Sequence, residues 1–380
     1  MGRFGLFLLL GGLAATVALL PGERAEGGIV PAGAPVPAPG EAGAPHRPLN
    51  LGEQQRFLRG RQLFDKDFLA GAGGGPMLNG DSCRACHQDP VVGGAGGIDV
   101  QVQRPLVDDG FGNLVSPQET GELAQTHSIP GSPREEIPAN FVLVEERNSP
   151  TLLGLGLVQS ISDATIRALE DPNDLDGDGI RGIAHILPSG RVGKLGWKAN
   201  VPDLKAFVRD AMGNEMGVTV PFDPNDGFGF LADEDTVPDP EISQADIDDI
   251  VFFLELLDFP PKQRASSQLN HGEFLFGQIG CAKCHVPRLE GVELYSDLLL
   301  HDVQPAGFLG VTQGQATSGL YRTAPLRGLR DTAPYFHDGR AETVDQAIRR
   351  HAGEAAQVIA AYLGLNAQDR AALLAFLNSL

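Results

Sequence analysis

Cys83-Arg84-Ala85-Cys86-His87 and Cys281-Ala282-Lys283-Cys284-His285 are two copies of one pattern, C-x-x-C-H, and they use all four cysteines of the 380-residue chain. Two thiols one helical turn apart can reach the two vinyl groups of one haem, and the histidine that follows reaches the iron beneath. The pattern therefore predicts two covalently bound c-type haems. Cys83, Cys86, Cys281 and Cys284 attach them, and His87 and His285 are the proximal iron ligands. A zinc ribbon would need the two pairs to converge and would leave both histidines without a use. A redox C-x-x-C needs a βαβ context that the flanking sequence lacks.

Outward from the motifs, the chain reads as a duplication. A helical run precedes each one, Arg56–Phe64 and Gly272–Gly277, and an Arg-x-x-Pro segment follows each, Arg147–Leu155 and Arg322–Leu329. Each half closes on an amphipathic helix. One runs from Ile242 to Leu257 with Ser243 as its cap, the other from Asn366 to Leu380 with apolar Leu373, Leu374 and Leu377. The expected fold is mainly α: two cytochrome c-like helical domains, each with one covalent haem, with long loops and an insertion in the first. Residues 50–262 form the first domain and 263–380 the second, joined near Pro260-Pro261-Lys262. With 49 Gly, 28 Pro and only 6% aromatic residues, such a chain is rich in loops and needs something besides aromatic side chains to fill its interior.

Residues 1–25 read as a signal peptide, with Arg3 ahead of an uncharged run from Phe4 to Pro21, and an uncleaved anchor is the alternative. Residues 26–49 are rich in Pro, Ala and Gly and read as a flexible tether in which His46 is solvated. The expected location is the periplasm, where covalent haem attachment takes place, with membrane contact only if the leader is retained. A net charge of −20 excludes nucleic-acid binding and favours basic protein partners.

Several longer stretches carry a resemblance: RNSPTLLGLGL (147–157), DPNDLDGDGIRG (171–182), GWKAN (196–200), NEMG (214–217), SDLLLHD (296–302) and TAPYFHDGRAET (332–343). Together they resemble the bacterial dihaem cytochrome c peroxidase and MauG superfamily. Within it they are most similar to the dihaem oxidoreductase branch, some members of which are labelled thiol oxidoreductases. The resemblance covers residues 50–380 and implies a peroxidase-type oxidoreductase that reduces H₂O₂ at the first haem and transfers electrons through the second. In the resembled enzymes a Met, or in MauG a Tyr, fourteen residues after the His of PYFHDG ligates the second iron. Here that residue is His351, within an expected helix 347–354, which implies ligation of the second haem by His285 and His351. His337 itself is expected to orient the loop rather than to ligate. The first haem has no clear sixth ligand. It is expected open or water-bound, with Met216 and His127 as the weaker ligand candidates.

A Glu-Met pair follows the interhaem Trp in these enzymes. Here Glu215-Met216 follows Trp197, the only Trp in the chain, so Glu215 is the implied acid–base and Trp197 the implied electron relay. The Gln that other branches place in this pocket has no counterpart near residues 204–207. The family's interhaem calcium maps onto Asn148, Thr332 and Pro334. Independently, Asp174, Asp176 and Asp178 begin a D-x-D-x-D-G calcium loop whose twelfth position is His185 rather than Glu. The implied partners are a small electron donor (cytochrome c or cupredoxin), H₂O₂ as substrate, and a second copy in a homodimer. Two other functions fit the same residues: a dihaem electron-transfer cytochrome without peroxide chemistry, and a MauG-like enzyme that oxidises side chains of a partner protein. A thiol substrate has no support, since no cysteine is left free to exchange.

Overall fold

Polar side chains that satisfy the first free N–H groups decide where most of the described helices begin. Asn50 and Glu53 form a reciprocal capping box at the start of α1 (Leu51–Asp65). The first haem motif is itself the short α2 (Cys83–Cys86), and α3 (Leu155–Gln159) and α4 (Asp163–Arg167) follow the Arg-Asn-Ser-Pro segment. Asp203 caps α5 (Leu204–Met216), Ser243 caps α6 (Gln244–Leu256) and Ser266 caps α7 (Ser267–Gln278). Thr343 caps α8 (Val344–Arg350), α9 (Ala356–Gly364) comes next, and Asn366 caps α10 (Ala367–Leu377). The computed structural model describes residues 29–31, 33–111, 114–118, 122–225 and 227–380, so the expected leader, 1–25, lies outside the described residues. Among them, no helix is long and apolar enough to cross a membrane.

Short antiparallel sheets join the helices. β1 (Met77–Leu78) pairs with β4 (His127–Ser128), while β2 (Val102–Asp108) lies between β3 (Leu114–Val115) and β5 (Phe141–Arg147). β6 (Arg288–Leu289) pairs with β7 (Val292–Glu293), and β8 (Leu300–Asp302) with β9 (Leu320–Arg322). The fold is therefore helical with minor sheets, and the insertion of the first half contains the three-stranded one.

The helix before each haem motif crosses the last helix of its half at a glycine. A Cβ on Gly60 of α1 would stand 2.0 Å from the Asp249 carbonyl oxygen of α6, and one on Gly272 of α7 would stand 2.2 Å from that of Ala372 in α10. Only a hydrogen lets the backbones approach so closely. Phenylalanines pack beside each crossing, Phe57 against Phe253 at 5.0 Å between ring centroids and Phe276 against Phe376 at 5.6 Å. Each crossing sits in its own apolar cluster. The first, however, also contains Leu289, Leu294, Leu298 and Leu299, so the larger core runs past the expected boundary at residue 262.

Two expectations are corrected. From residue 29 onward the segment read as a flexible tether is docked. The backbone N–H groups of Ile29 and Val30 donate to the Asp65 carboxylate, Arg61 holds the Ala34 carbonyl, and Ala44 is buried next to a bridge between Pro45 and Leu257. Small residues and prolines lie flat against α1 and α6, and the polar backbone finds partners there. The helix expected over 347–354 is also shifted. Thr343 starts it at Val344, it ends at Arg350, and His351 is its C-cap.

Candidate functional site

Among the described residues, each C-x-x-C-H motif lines a cavity of its own. The first, of about 160 Å³, is walled by Cys83, Cys86 and His87 together with Arg104, Arg147 and Glu215. The second, of about 300 Å³, is walled by Cys281, Cys284 and His285 together with His301, His337 and His351. Asn148, Ser149, Pro150, Gly196, Trp197 and Phe207 line both. Trp197 thus stands in the shared wall, held by its indole N–H on the Asn148 carbonyl at 2.9 Å. The sequence predicted Trp197, Glu215, both motifs and His351, and the fold distributes them between these adjoining cavities.

The histidines are prepared to bind a metal through one nitrogen. Burial pushes His87 and His285 down to about 4, so both rings are neutral. The Nδ1 of His87 lies 3.2 Å from the Gly94 carbonyl, that of His285 lies 2.9 Å from the Tyr295 carbonyl, and that of His351 lies 2.8 Å from the Ala347 carbonyl. A carbonyl can only accept, so Nδ1 carries the proton and Nε2 keeps its lone pair. Burial also pushes the thiols of Cys83, Cys86 and Cys281 up to about 12, so these three are not activated as free thiolates. Arg104 and Arg147 both line the first cavity, and Arg104 Nε and Arg147 Nη2 are buried without a partner. Unmatched guanidinium N–H groups call for an anion, and a haem presents two propionates. Apolar walls, a neutral imidazole with a free Nε2, paired thiols and unpartnered guanidinium N–H atoms therefore fit a haem in the first cavity. Apolar walls, paired cysteines and imidazoles with a free Nε2 recur in the second.

Glu215 sits one residue from the end of α5 and faces the first cavity, which leaves it half-buried by area although it lies deep in the molecule. Burial pushes its carboxyl up to about 7, against the pull of the Arg104 guanidinium and of an Asn79 amide 3.3 Å away. A carboxyl that titrates near neutrality in a cavity is suited to take up and return a proton. Met216 also lines this cavity, whereas His127 is exposed on β4 and is not among the residues lining it.

The other predicted positions divide. His337 is buried, stacked on Tyr321 at 4.0 Å and edge-on to Trp197 at 6.4 Å, and its carbonyl accepts from Asn148 N at 2.6 Å. It orients the loop, as expected. Asn148 and Pro334 meet, but through a hydrogen bond from Asn148 Nδ2 to the Pro334 carbonyl at 3.1 Å, while Gln101 donates to Asn148 Oδ1 at 2.6 Å. The Thr332 hydroxyl donates to the Leu329 carbonyl at 3.0 Å. These side chains are engaged with neighbouring groups of the loops. In the acidic loop Asp174 and Asp176 group with Asp171, their oxygens within 4.8 Å, whereas Asp178 is drawn to Lys283 Nζ at 2.8 Å. His185, at the twelfth position, is buried, with Nδ1 2.7 Å from the Lys198 carbonyl, and does not face that group as a ligand.

Sequence reasoning missed Arg104 as a site residue and gave Arg147 no role. The pairing of β2 with β5 sets Arg104 opposite Glu145, whose carboxylate holds Arg147 Nε at 2.6 Å. No local signal marks a partner about forty residues away.

The chain is similar to several known proteins. The chain is 33% identical over 82 residues to the cytochrome c551 peroxidase of Nitrosomonas europaea, a match that covers 20% of this chain and only 25% of that protein. Among solved structures, it aligns with a MauG-like protein associated with microbial copper homeostasis at 18% identity and a TM-score of 0.44, covering 88% of this chain and 92% of the other. It also aligns with Kuenenia stuttgartiensis hydrazine synthase, in a xenon-pressurised structure, at 16% identity and a TM-score of 0.43, covering 97% and 100%. A family model matches residues 128–380, and the chain belongs to the family it describes, "Di-haem oxidoreductase, putative peroxidase".

Proposed function

We propose that this oxidoreductase is an exported, peroxidase-type dihaem enzyme that reduces H₂O₂ at the first cavity with electrons received through the second. The observation that carries the reading is Glu215, a carboxyl near neutrality in the same cavity as the free Nε2 face of His87. A covalent haem on Cys83, Cys86 and His87 would supply an iron able to bind peroxide, and one on Cys281, Cys284, His285 and His351 would supply an electron store.

The chain's own residues manage protons, charge and water. Glu215 accepts a proton from one peroxide oxygen and returns it to the departing one, which avoids expelling hydroxide into an apolar cavity. The Arg104 guanidinium opposes the burial that keeps Glu215 protonated and so holds it near the working pH. Trp197 offers a polarisable ring in the only wall the two cavities share among the described residues, and its bond to the Asn148 carbonyl fixes that ring. The overall reaction consumes two electrons and two protons per H₂O₂ and yields two waters. A net charge of −20 favours a basic donor, a small cytochrome c or cupredoxin in the periplasm.

The test is turnover of H₂O₂ by haem-loaded protein with a reduced donor, compared with Glu215→Gln. The expected loss is roughly 10²–10⁴-fold in kcat, the usual share of a positioned acid–base group, with haem content unchanged. Equal turnover by the variant would overturn the reading, and a protein inert to peroxide would leave an electron-transfer cytochrome in its place.

A further inference from the structure

The Ser296–Asp302 stretch contributes to the family resemblance, yet nothing above gives it a role. In the structure two of its side chains, the buried Asp297 and His301, join the half-buried Glu354 in a row that meets the second cavity at His301. His301 is 3% exposed and lines that cavity. Its Nε2 lies 2.9 Å from Asp297 Oδ2 and its Nδ1 lies 3.0 Å from Glu354 Oε2. An imidazole placed between two carboxylates must donate at both nitrogens, and one that does so is an imidazolium. Burial alone would discharge the ring; hydrogen bonds to Asp297, Cys284 and Glu354, with the charge of Asp297, outweigh it and hold His301 up to about 12. Although ligand atoms of Cys284, Asp297 and His301 lie within 4.8 Å of one another, the ring has no lone pair left for a metal.

What the row connects gives it meaning. Asp297 donates its backbone N–H to the Cys284 carbonyl at 2.9 Å, and it stands two residues after Tyr295, whose carbonyl orients His285. Glu354 stands three residues after His351 and accepts from the backbone N–H groups of Arg181 at 2.8 Å and Asp302 at 3.0 Å. His301 Nδ1 also sits 3.8 Å from Cys284 Sγ, the sulfur of the second haem motif. We propose that His301 is a positioning residue of the second haem site: it ties the loop that orients His285 to the segment that carries His351, and it sets the electric charge beside the haem. The proposal rests on the reading of His285 and His351 as the two ligands of that iron.

The charge count supplies a signed test. With the imidazolium in place the three side chains sum to −1, and a neutral residue at 301 leaves −2. Added negative charge in a buried wall favours the oxidised, more positive iron and lowers its reduction potential. The experiment uses the haem-loaded protein, with potentials of both haems from spectroelectrochemical titration and haem count from intact mass. His301→Gln is expected to lower the second haem's potential, Glu354→Gln to raise it, and the double variant to return it toward the parent value. The first haem should not move. The low-spin electron paramagnetic resonance signal of the second haem should weaken in His301→Gln. Glu354→Gln keeps the test decisive if the His301 variant does not fold. Two haems present with unmoved potentials, or a drop that the double variant does not reverse, would overturn the proposal alone. A parent protein without a haem at the second motif, or a second low-spin signal that survives His351→Ala, would overturn the ligand reading and the proposal with it.

Discussion

Replacing Glu215 by Gln should make the fold more stable at the pH where it makes the site inactive. In an unfolded chain a glutamate titrates near 4.5, and in the folded protein burial moves this one up to about 7. The folded state therefore holds the proton more tightly than the unfolded state does. The stabilisation this gives is fully present below pH 4.5, declines as the pH rises between 4.5 and 7, and is gone above 7. The gap between the two values, at about 1.4 kcal/mol per pH unit, corresponds to about 3 kcal/mol. Gln has no such proton, so the variant's advantage over the parent should be flat below pH 4.5 and should grow by about 3 kcal/mol by pH 8. Urea unfolding of both proteins, followed by far-ultraviolet circular dichroism at a series of pH values, measures this directly. A difference that does not change with pH would refute burial as the origin of the raised value.

The two glycines of α7 give a matched pair. A Cβ on Gly272 would meet the Ala372 carbonyl at 2.2 Å, whereas one on Gly277 has nothing within 4 Å. Gly272→Ala should therefore destabilise by roughly 1–3 kcal/mol, and Gly277→Ala should be neutral or stabilise by up to about 1 kcal/mol. Equal urea midpoints for the two variants, or a lower one for Gly277→Ala, would contradict the close helix crossing. Cys281→Ser combined with Cys284→Ser should leave one covalent haem by intact mass, and the corresponding double variant at Cys83 and Cys86 should leave the other. Arg104→Met removes the positive charge that pulls Glu215 down, so the midpoint of the pH–rate profile should move to higher pH, and a midpoint that stays or falls would contradict that pairing.

Much of this site was legible because its chemistry is local in sequence. A C-x-x-C-H motif, a capping Ser243 or Asn366 and an apolar stripe each state their purpose within a few residues, and the structure starts α6 and α10 at those caps. Glu215 and Trp197 were legible through resemblance, and the same cavity holds both. The remainder depends on contacts between distant segments. Arg104 reaches the first cavity through strand register with Glu145, and His301 acquires its charge from Asp297 on one side and Glu354, 53 residues away, on the other. The docking of residues 29–49 was hidden for a different reason: a composition typical of linkers also suits a chain that lies flat on a surface.

The wall that both cavities share also sets how the chain can be divided. The loop carrying Asn148 is fixed from the second half, by the His337 carbonyl on its backbone and by Gln313 on Arg147 at 2.7 Å, while Val311 donates its backbone N–H to Glu145. The first core, in turn, is completed by leucines from residues 289–299. A repeated pattern of motifs suggests two interchangeable modules, each expressible or exchangeable by itself. Cut at residue 262, however, the first piece would lose the segments that brace Asn148 and Arg147, and the second would lose Trp197 and part of its cavity. The motifs repeat along the chain, but the contacts bind the two halves into one folding unit.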